Sequence, residues 1–245
     1  MPRLVLTVII FYLGFCSSYK WEGRILQGSA AQLRQIPYAA SIRRVGTLGH
    51  VGGGTLISDA WVITAKSVTS LFLRPADLAV ALGILNTANT IVAPGMVSTA
   101  QAVSEHPVEN LALVRIPVVA CNAARFGVIT PIFLEPRIQS GSFEALVAGW
   151  GPTDVNKEPN SLLRFLKITT FTSCTPTSTV RNSIDQLQDS TTICAENTMC
   201  TTDVGGPLVT TTGLVGVASS TECGGLDTYV RIHAYRTWIS AISGV

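Results

Sequence analysis

Three histidines are the first candidates for chemistry in this sequence. They stand at His50, His106 and His233. An imidazole with a pKa near 6.5 can take a proton from a hydroxyl nucleophile or bind a metal ion. No serine stands beside any of them, and the chain lacks G-x-S-x-G, H-E-x-x-H and C-x-x-C motifs. We therefore expect all three to be structural or surface residues, and we expect no metal and no cofactor.

The elements that must position these side chains are short and extended. Stretches of three to six apolar and β-branched residues are bounded by Gly, Ser, Asp, Asn or Pro, which predicts many strands in an antiparallel sandwich or barrel. The clearest are Thr55–Ile57, Trp61–Thr64, Leu78–Leu82, Leu111–Ile116, Ala145–Ala148, Leu163–Ile168 and Leu214–Val217. A helix is predicted only at the end, where Tyr235, Trp238, Ile239 and Ile242 form one apolar face.

The N-terminus predicts secretion. Arg3 precedes an apolar run of about a dozen residues at 4–15, and small residues follow at 16–18. The run is shorter than the roughly 20 residues that a membrane-spanning helix needs. We expect a signal peptide at 1–18, cleaved after Ser18, and a secreted, extracellular product.

The even charge balance does not favour a protein that binds nucleic acid or another polyanion. From Ile25 onward the chain has 14 basic and 14 acidic residues. Such a chain lacks the basic cluster that nucleic-acid binding requires. We expect no nucleic acid and no membrane among its partners.

The cysteines agree with an oxidising compartment. Cys16 leaves with the signal peptide, which leaves Cys121, Cys174, Cys194, Cys200 and Cys223. Five is an odd number, so at least one thiol lacks a partner within the chain.

Four segments carry motifs of one known family. They are Arg24–Gly28, Gly53–Ala65, Asn110–Arg115 and Cys200–Val209. In this order they resemble the activation site, the approach to the catalytic histidine, the strand opened by the catalytic aspartate, and the nucleophile loop of the trypsin/chymotrypsin serine proteases (peptidase S1). The resemblance covers 25–245. It implies two packed six-stranded antiparallel β-barrels, roughly 25–125 and 126–235, a C-terminal helix at 235–243, and a site in the cleft between the barrels.

The resemblance places unsuitable residues at every catalytic position. Ser67 stands for the histidine, Asn110 for the aspartate and Val204 for the nucleophilic serine. Valine has no lone pair with which to attack a carbonyl, and a serine hydroxyl is far too weak a base to replace imidazole. Thr202 stands where the family has an oxyanion-hole glycine. We expect no trypsin-like catalysis.

The residues at the positions of the substrate pocket also differ from those of the family. Ser219-Ser220-Thr221 replaces the family's Ser-Trp-Gly strand, and Thr198 stands at the pocket floor. Asp227 stands where glycine is usual. Its carboxylate either attracts a basic side chain or fills the pocket and pairs locally, and we favour the second interpretation.

Structural features of the family are retained. The resemblance implies a short activation peptide at 19–24, cleavage between Arg24 and Ile25, and burial of the new Ile25 ammonium against Asp203. The alternative is that these residues are inherited from the family and no longer used. It also implies the disulfides Cys174–Cys194 and Cys200–Cys223, and it places Gly52 and Val68 at a lost third one. Cys121 is then left over, either as a buried thiol or as the link of a disulfide-bonded dimer.

The resulting interpretation is an inactive, secreted serine protease homologue, or pseudoprotease. It would act by binding other secreted proteins as a cofactor, decoy or regulator of proteolytic or immune processes. Two alternatives remain: a structural or storage protein, and a hydrolase with unconventional residues.

Overall fold

The computed structural model describes residues 28–88, 96–119, 127–152, 161–172, 174, 191–196, 201–221 and 225–245. The strands are β1 (Ser29–Ala30), β2 (Ala39–Arg44), β3 (His50–Leu56), β4 (Trp61–Thr64), β5 (Leu78–Leu82), β6 (Met96–Thr99), β7 (Ala102–Glu105), β8 (Ala112–Arg115), β9 (Ser142–Gly149), β10 (Arg164–Phe171), β11 (Thr192–Glu196), β12 (Pro207–Val209), β13 (Leu214–Ser220) and β14 (Leu226–Arg231). The helices are α1 (Lys66–Thr69) and α2 (Arg236–Ser243), and 3-10 turns lie at Pro75–Asp77, Thr201–Asp203 and Ile232–Tyr235.

The second half of the chain forms a closed barrel. Strand β9 pairs with both β10 and β12, which closes the ring β9-β10-β11-β14-β13-β12. The predicted six-stranded antiparallel barrel is therefore confirmed in this half. Strand β1 pairs with the first two residues of β10, so the N-terminal strand of the described chain belongs to the second sheet and not to the first.

The first half forms a curled seven-stranded sheet in the order β6-β5-β2-β3-β4-β8-β7. Its two edge strands, β6 and β7, follow each other in sequence. The Ala100 amide donates to the Leu78 carbonyl and the Gln101 amide donates to the Arg115 carbonyl, so the chain leaves β5 and joins β8 within two residues. The prediction of six strands here is corrected to seven, because one extended segment bends into two strands. The two-barrel architecture itself is confirmed.

Each barrel has its own apolar core, and two further clusters join the barrels; the larger is called the joint core below. Strands β4 and β8 contribute Ile63 and Leu113 to the joint core, and β13 and β14 contribute Val217 and Val230. These side chains are at most 4% exposed. Burial of this apolar surface holds the two sheets in one position relative to each other. The loops at the ends of the sheets are thereby positioned as well.

The terminal helix packs where the sequence predicts. Ile239 is fully buried in the joint core, and Tyr235, Trp238 and Ile242 pack around it. Helix α2 ends at Ser243 and is capped by Gly244, whose φ of 76° suits a glycine C-cap. Within the described residues, no helix is both long and apolar enough to span a bilayer.

Candidate functional site

Strand pairing brings Ser67 and Asn110 together. Strands β4 and β8 are antiparallel, with Thr64 opposite Ala112, so the residues after β4 lie beside those before β8. Ser67 is in α1, directly after β4. Its backbone amide donates to Asn110 Oδ1 at 2.7 Å, and Asn110 Nδ2 lies 3.2 Å from Ser67 Oγ. Two positions that the sequence assigns to one site are therefore adjacent.

Ser219 completes this polar site and connects it to the second barrel. Asn110 Nδ2 donates to the Ser219 carbonyl oxygen at 2.9 Å and lies 3.1 Å from Ser219 Oγ. The three side chains, Ser67, Asn110 and Ser219, are called the polar site below. An amide and two hydroxyls carry no charge and do not titrate near neutral pH. The site can hold groups in place by hydrogen bonds, but it holds no proton acceptor as basic as imidazole.

Val204 lies at the start of a tight loop that follows the Thr201–Asp203 turn. Its carbonyl accepts the Gly53 amide at 2.8 Å, and its partly buried side chain packs against the core of the first barrel. A Cβ atom at Gly52 would lie 2.7 Å from Val68 Cγ2 and 3.1 Å from the Val204 carbonyl oxygen. Gly52 and Val68 are thus in contact, as expected for the positions of the lost disulfide.

His50 is a structural residue within reach of the same loop. Ser41 Oγ donates to Nδ1 at 2.8 Å and Nε2 donates to the Thr202 carbonyl at 3.2 Å, in the tautomer that satisfies both partners. The ring also contacts Trp150, with centroids 5.5 Å apart. Burial lowers the pKa of His50 to about 4, so the ring is neutral at physiological pH and both nitrogens are engaged. Sequence reasoning missed this contact, because 152 positions separate His50 from Thr202.

His106 is structural as well. Its Nδ1 accepts the backbone amides of Glu109 at 3.0 Å and Val108 at 3.3 Å. Its ring meets Tyr235 and Trp238 edge-on, at centroid distances of 5.0 and 5.1 Å. The sequence leaves a structural or a surface role open, and the structure places this ring against Tyr235 and the terminal helix. It thereby fixes the loop that carries Asn110.

Asp203 occupies a close-fitting cradle. It is 1% exposed, and the Gly151 amide donates to its Oδ1 at 2.6 Å. A Cβ atom at Gly149 or Gly151 would lie 2.7 or 2.6 Å from Asp203 Cγ, so neither position accommodates a side chain. The predicted partner, the Ile25 ammonium, and the Arg24–Ile25 bond lie outside the described residues.

The predicted pocket residues lie at the ends of β13 and β14. Ser219 and Ser220 end β13, and Thr221 follows with 5% exposure. Asp227 lies in β14 opposite Ala195 and is completely buried. Burial of this carboxylate away from solvent favours pocket filling or local pairing over a site open to a basic side chain. Thr198 lies outside the described residues.

One predicted disulfide is present. Cys174 and Cys194 are bonded, with Cα atoms 5.5 Å apart, and Cys194 is in β11. This pairing is confirmed. Cys121, Cys200 and Cys223 lie outside the described residues, and so do the predicted signal and activation peptides at 1–18 and 19–24. In the described part of the chain no group of three or more His, Cys, Asp or Glu residues could hold a metal ion.

A closed antiparallel barrel, a curled antiparallel sheet packed against it and a C-terminal helix define a protein of the trypsin-like class. The family model described as Trypsin matches residues 25–239, and the chain belongs to this family.

Individual relatives agree with this assignment. Trypsin iota of Drosophila melanogaster is 29% identical, over 96% of this chain and 95% of that protein. Trypsin alpha-4 of Lucilia cuprina is 28% identical, over 91% of this chain and 89% of that protein. The solved structure of human heparin binding protein matches 89% of this chain and 96% of its own, with a TM-score of 0.71 and 25% identity.

Proposed function

We propose that this protein is a secreted, catalytically inactive serine protease homologue that acts by binding another protein. The observation that carries the proposal is the polar site, in which Asn110 bonds Ser67 and Ser219 and no side chain can act as a general base at neutral pH. The valine at position 204 adds a second barrier, because it offers no nucleophilic atom. Relatives of this chain bear the names of trypsins, so the proposal is a departure of this chain from its family.

Peptidase assays of the purified secreted protein test the inactivity. We expect no turnover of fluorogenic peptides with basic, aromatic or small residues at the cleaved bond, and no labelling by a serine-reactive phosphonate. Val204→Ser should remain inactive, since the base would still be missing. Turnover that survives purification of the natural protein, and is lost in Ser67→Ala or Asn110→Ala, would contradict the proposal.

A binding role is supported by an exposed apolar loop that follows the helix carrying Ser67. Residues 71–75, here called the leucine loop, directly follow the turn after α1. Leu73 is 99% exposed and Leu71 is 52% exposed. The loop is nevertheless held in place, because the Phe72 amide donates to the Thr69 carbonyl and the Arg44 guanidinium stacks 5.2 Å from the Phe72 ring. Ordered, exposed leucines are typical of surfaces that another protein covers.

Charged groups around the leucine loop have local partners. Arg74 pairs with Asp77 at 2.7 Å, and the Glu105 carboxylate accepts the Thr69 hydroxyl at 2.7 Å. An apolar tip beside these polar contacts fits a protein partner with an apolar recess. The similarity to human heparin binding protein raises the question of polyanion binding. The even charge of residues 25–245 speaks against it, and elution from immobilised heparin at low salt is the expected result.

Affinity capture from the native fluid tests the binding surface. We expect the double variant Leu71→Asp/Leu73→Asp to recover its partner about tenfold less well than the natural protein, the effect of losing a central apolar contact. Val118→Asp is the matched control, because Val118 is 65% exposed elsewhere on the first barrel. Equal capture by all three proteins would exclude the leucine loop as the binding surface.

Secretion and activation cleavage are further parts of the proposal. Asp203 is buried in its cradle, and it is the expected counter-ion for an Ile25 ammonium. N-terminal sequencing of the natural protein distinguishes the cases: Ile25 indicates cleavage after Arg24, and Tyr19 indicates signal removal alone. Non-reducing electrophoresis of the same material tests the dimer through Cys121.

A further inference from the structure

A cavity lies where the two barrels meet, and it shares no lining residue with the polar site. Its volume is about 270 Å³. Tyr38, just before β2, lines it from the first barrel, and Leu146 in β9 and Val209 in β12 line it from the second. Cavities for drug-sized ligands have volumes of about 300 to 1,000 Å³, so this one suits a smaller molecule.

The floor of this cavity is apolar and fixed. Val209 is 5% exposed within the core that joins the barrels, and Tyr38 and Leu146 pack against the same core. Burial raises the pKa of Tyr38 to about 12, so its hydroxyl stays protonated at physiological pH. The face or edge of an aromatic ligand can pack against the Tyr38 ring.

The cavity also carries one acidic and one basic group. Glu144 in β9 and Lys167 in β10 line it. Lys167 lies opposite Leu146 in the ladder and Glu144 is two residues from Leu146, so the two charged side chains are diagonal neighbours on one face. Within the residues that the structure describes, neither forms an ion pair. The carboxylate and the ammonium are therefore both available to a ligand.

We propose that this cavity binds an aromatic amino acid as its zwitterion. The ring would lie on the floor beside Tyr38, the ligand ammonium would meet Glu144, and the ligand carboxylate would meet Lys167. A peptide terminus offers an ammonium or a carboxylate but not both on one residue, so the pair of charges favours the free amino acid.

Nuclear magnetic resonance titration measures this binding directly. The probe is L-phenylalanine, followed through the methyl resonances of Leu146 and Val209. Phenylethylamine and 3-phenylpropanoate, which lack the carboxylate and the ammonium respectively, are the truncated ligands. We expect each truncation to weaken binding by about fivefold, the size of a partly exposed ion pair.

Paired substitutions identify which protein group meets which ligand group. Glu144→Gln should weaken L-phenylalanine binding by about fivefold and leave 3-phenylpropanoate binding unchanged, because the same contact is already missing. Lys167→Gln should do the same for phenylethylamine. Asp59→Asn and Arg115→Gln, at exposed positions on the first barrel that do not line the cavity, are the matched charge controls and should change nothing.

A substitution that fills the cavity tests whether the ligand binds there. Thr211 is an exposed residue of the cavity wall, so Thr211→Trp should abolish binding and leave the melting temperature unchanged. The proposal is overturned if L-phenylalanine leaves both methyl resonances unmoved, or if the protein and ligand truncations are additive. It is also overturned if phenylethylamine binds as tightly as L-phenylalanine, which would assign the cavity to a peptide N-terminus.

Discussion

The Asp203 cradle and the polar site lie on neighbouring loops and differ in what they require of their residues. The cradle consists of Asp203, Gly149, Gly151 and Gly205. A side chain at any of these glycines would overlap its neighbours, chiefly the Asp203 carboxylate or the Gly53 carbonyl. The polar site depends instead on hydrogen bonds of 2.7 to 3.2 Å that join the Asn110 side chain to the backbone of Ser67 and Ser219 and to the Ser67 hydroxyl.

This difference shows that keeping a fold and running a reaction place different requirements on the residues. Close packing tolerates almost no change in volume, so a loop kept in its shape keeps its glycines. Hydrogen bonds can be formed by any short polar group of suitable geometry, so a site can remain ordered with residues unsuited to proton transfer. The four predictions below test this contrast, from the largest expected effect to the smallest.

Gly205→Ala should be the most damaging substitution. Gly205 has a φ of +86°, and a Cβ there would overlap Thr64 Oγ1 and the Gly53 carbonyl. We expect a loss of about 3 kcal/mol or more in the free energy of unfolding, measured by urea denaturation. The control is Gly141→Ala, with a φ of +68° and no atom within 4 Å, which should lose about 1 kcal/mol from backbone strain alone. Equal losses would show that the cradle is not close-packed.

His50, which bonds the residue before Asp203, should make the stability of the protein sensitive to acid. Its pKa is about 4 when folded against 6.5 when unfolded, so between these values the unfolded chain binds the extra proton. The free energy of unfolding should therefore fall by about 2 to 3 kcal/mol as the pH drops from 6.5 to 4. Below pH 4 this group should cause little further loss, because both states then bind the proton. The difference between the natural protein and His50→Gln, measured by urea denaturation across this range, isolates the effect. A pH-independent difference would refute it.

Asn110→Asp, which introduces the family's residue, should destabilise the polar site. A carboxylate cannot donate to the Ser219 carbonyl, and its oxygen would face that carbonyl oxygen at the present 2.9 Å. We expect a loss of about 1 to 2 kcal/mol at pH 7, relieved in acid as the aspartate protonates. Asn86→Asp is the control, because Asn86 Oδ1 only accepts the Ala88 amide and a carboxylate can do the same. A stabilising Asn110→Asp would show that the site still fits a charged residue.

Ser67→Ala should have the smallest effect. Ser67 is exposed, and its backbone amide would still donate to Asn110 Oδ1. We expect a change within about 0.5 kcal/mol in thermal or urea unfolding. A loss above about 1.5 kcal/mol would mean that the hydroxyl, and not the backbone, holds the two loops together.

Local pattern predicted much of the fold. Strands β4 and β5 begin and end where their apolar, β-branched runs do, at Trp61–Thr64 and Leu78–Leu82. The apolar face of the terminal helix was also predicted correctly, since Ile239 and its neighbours at helical spacing all reach the joint core. The stretch that forms β6 and β7 mixes apolar and polar residues without such a run, so neither strand nor the bend between them was predicted.

The sequence by itself determined the class of fold and which residue types stand at the motif positions, because strand periodicity and motif order are local properties of the chain. Only the tertiary structure decided that Asn110 bonds both Ser67 and Ser219, that His50 supports the Thr202 loop, and that Tyr38 and Lys167 share a cavity. These contacts join residues 43 to 152 positions apart. Such contacts depend on how two sheets pack, and no local pattern encodes that distance.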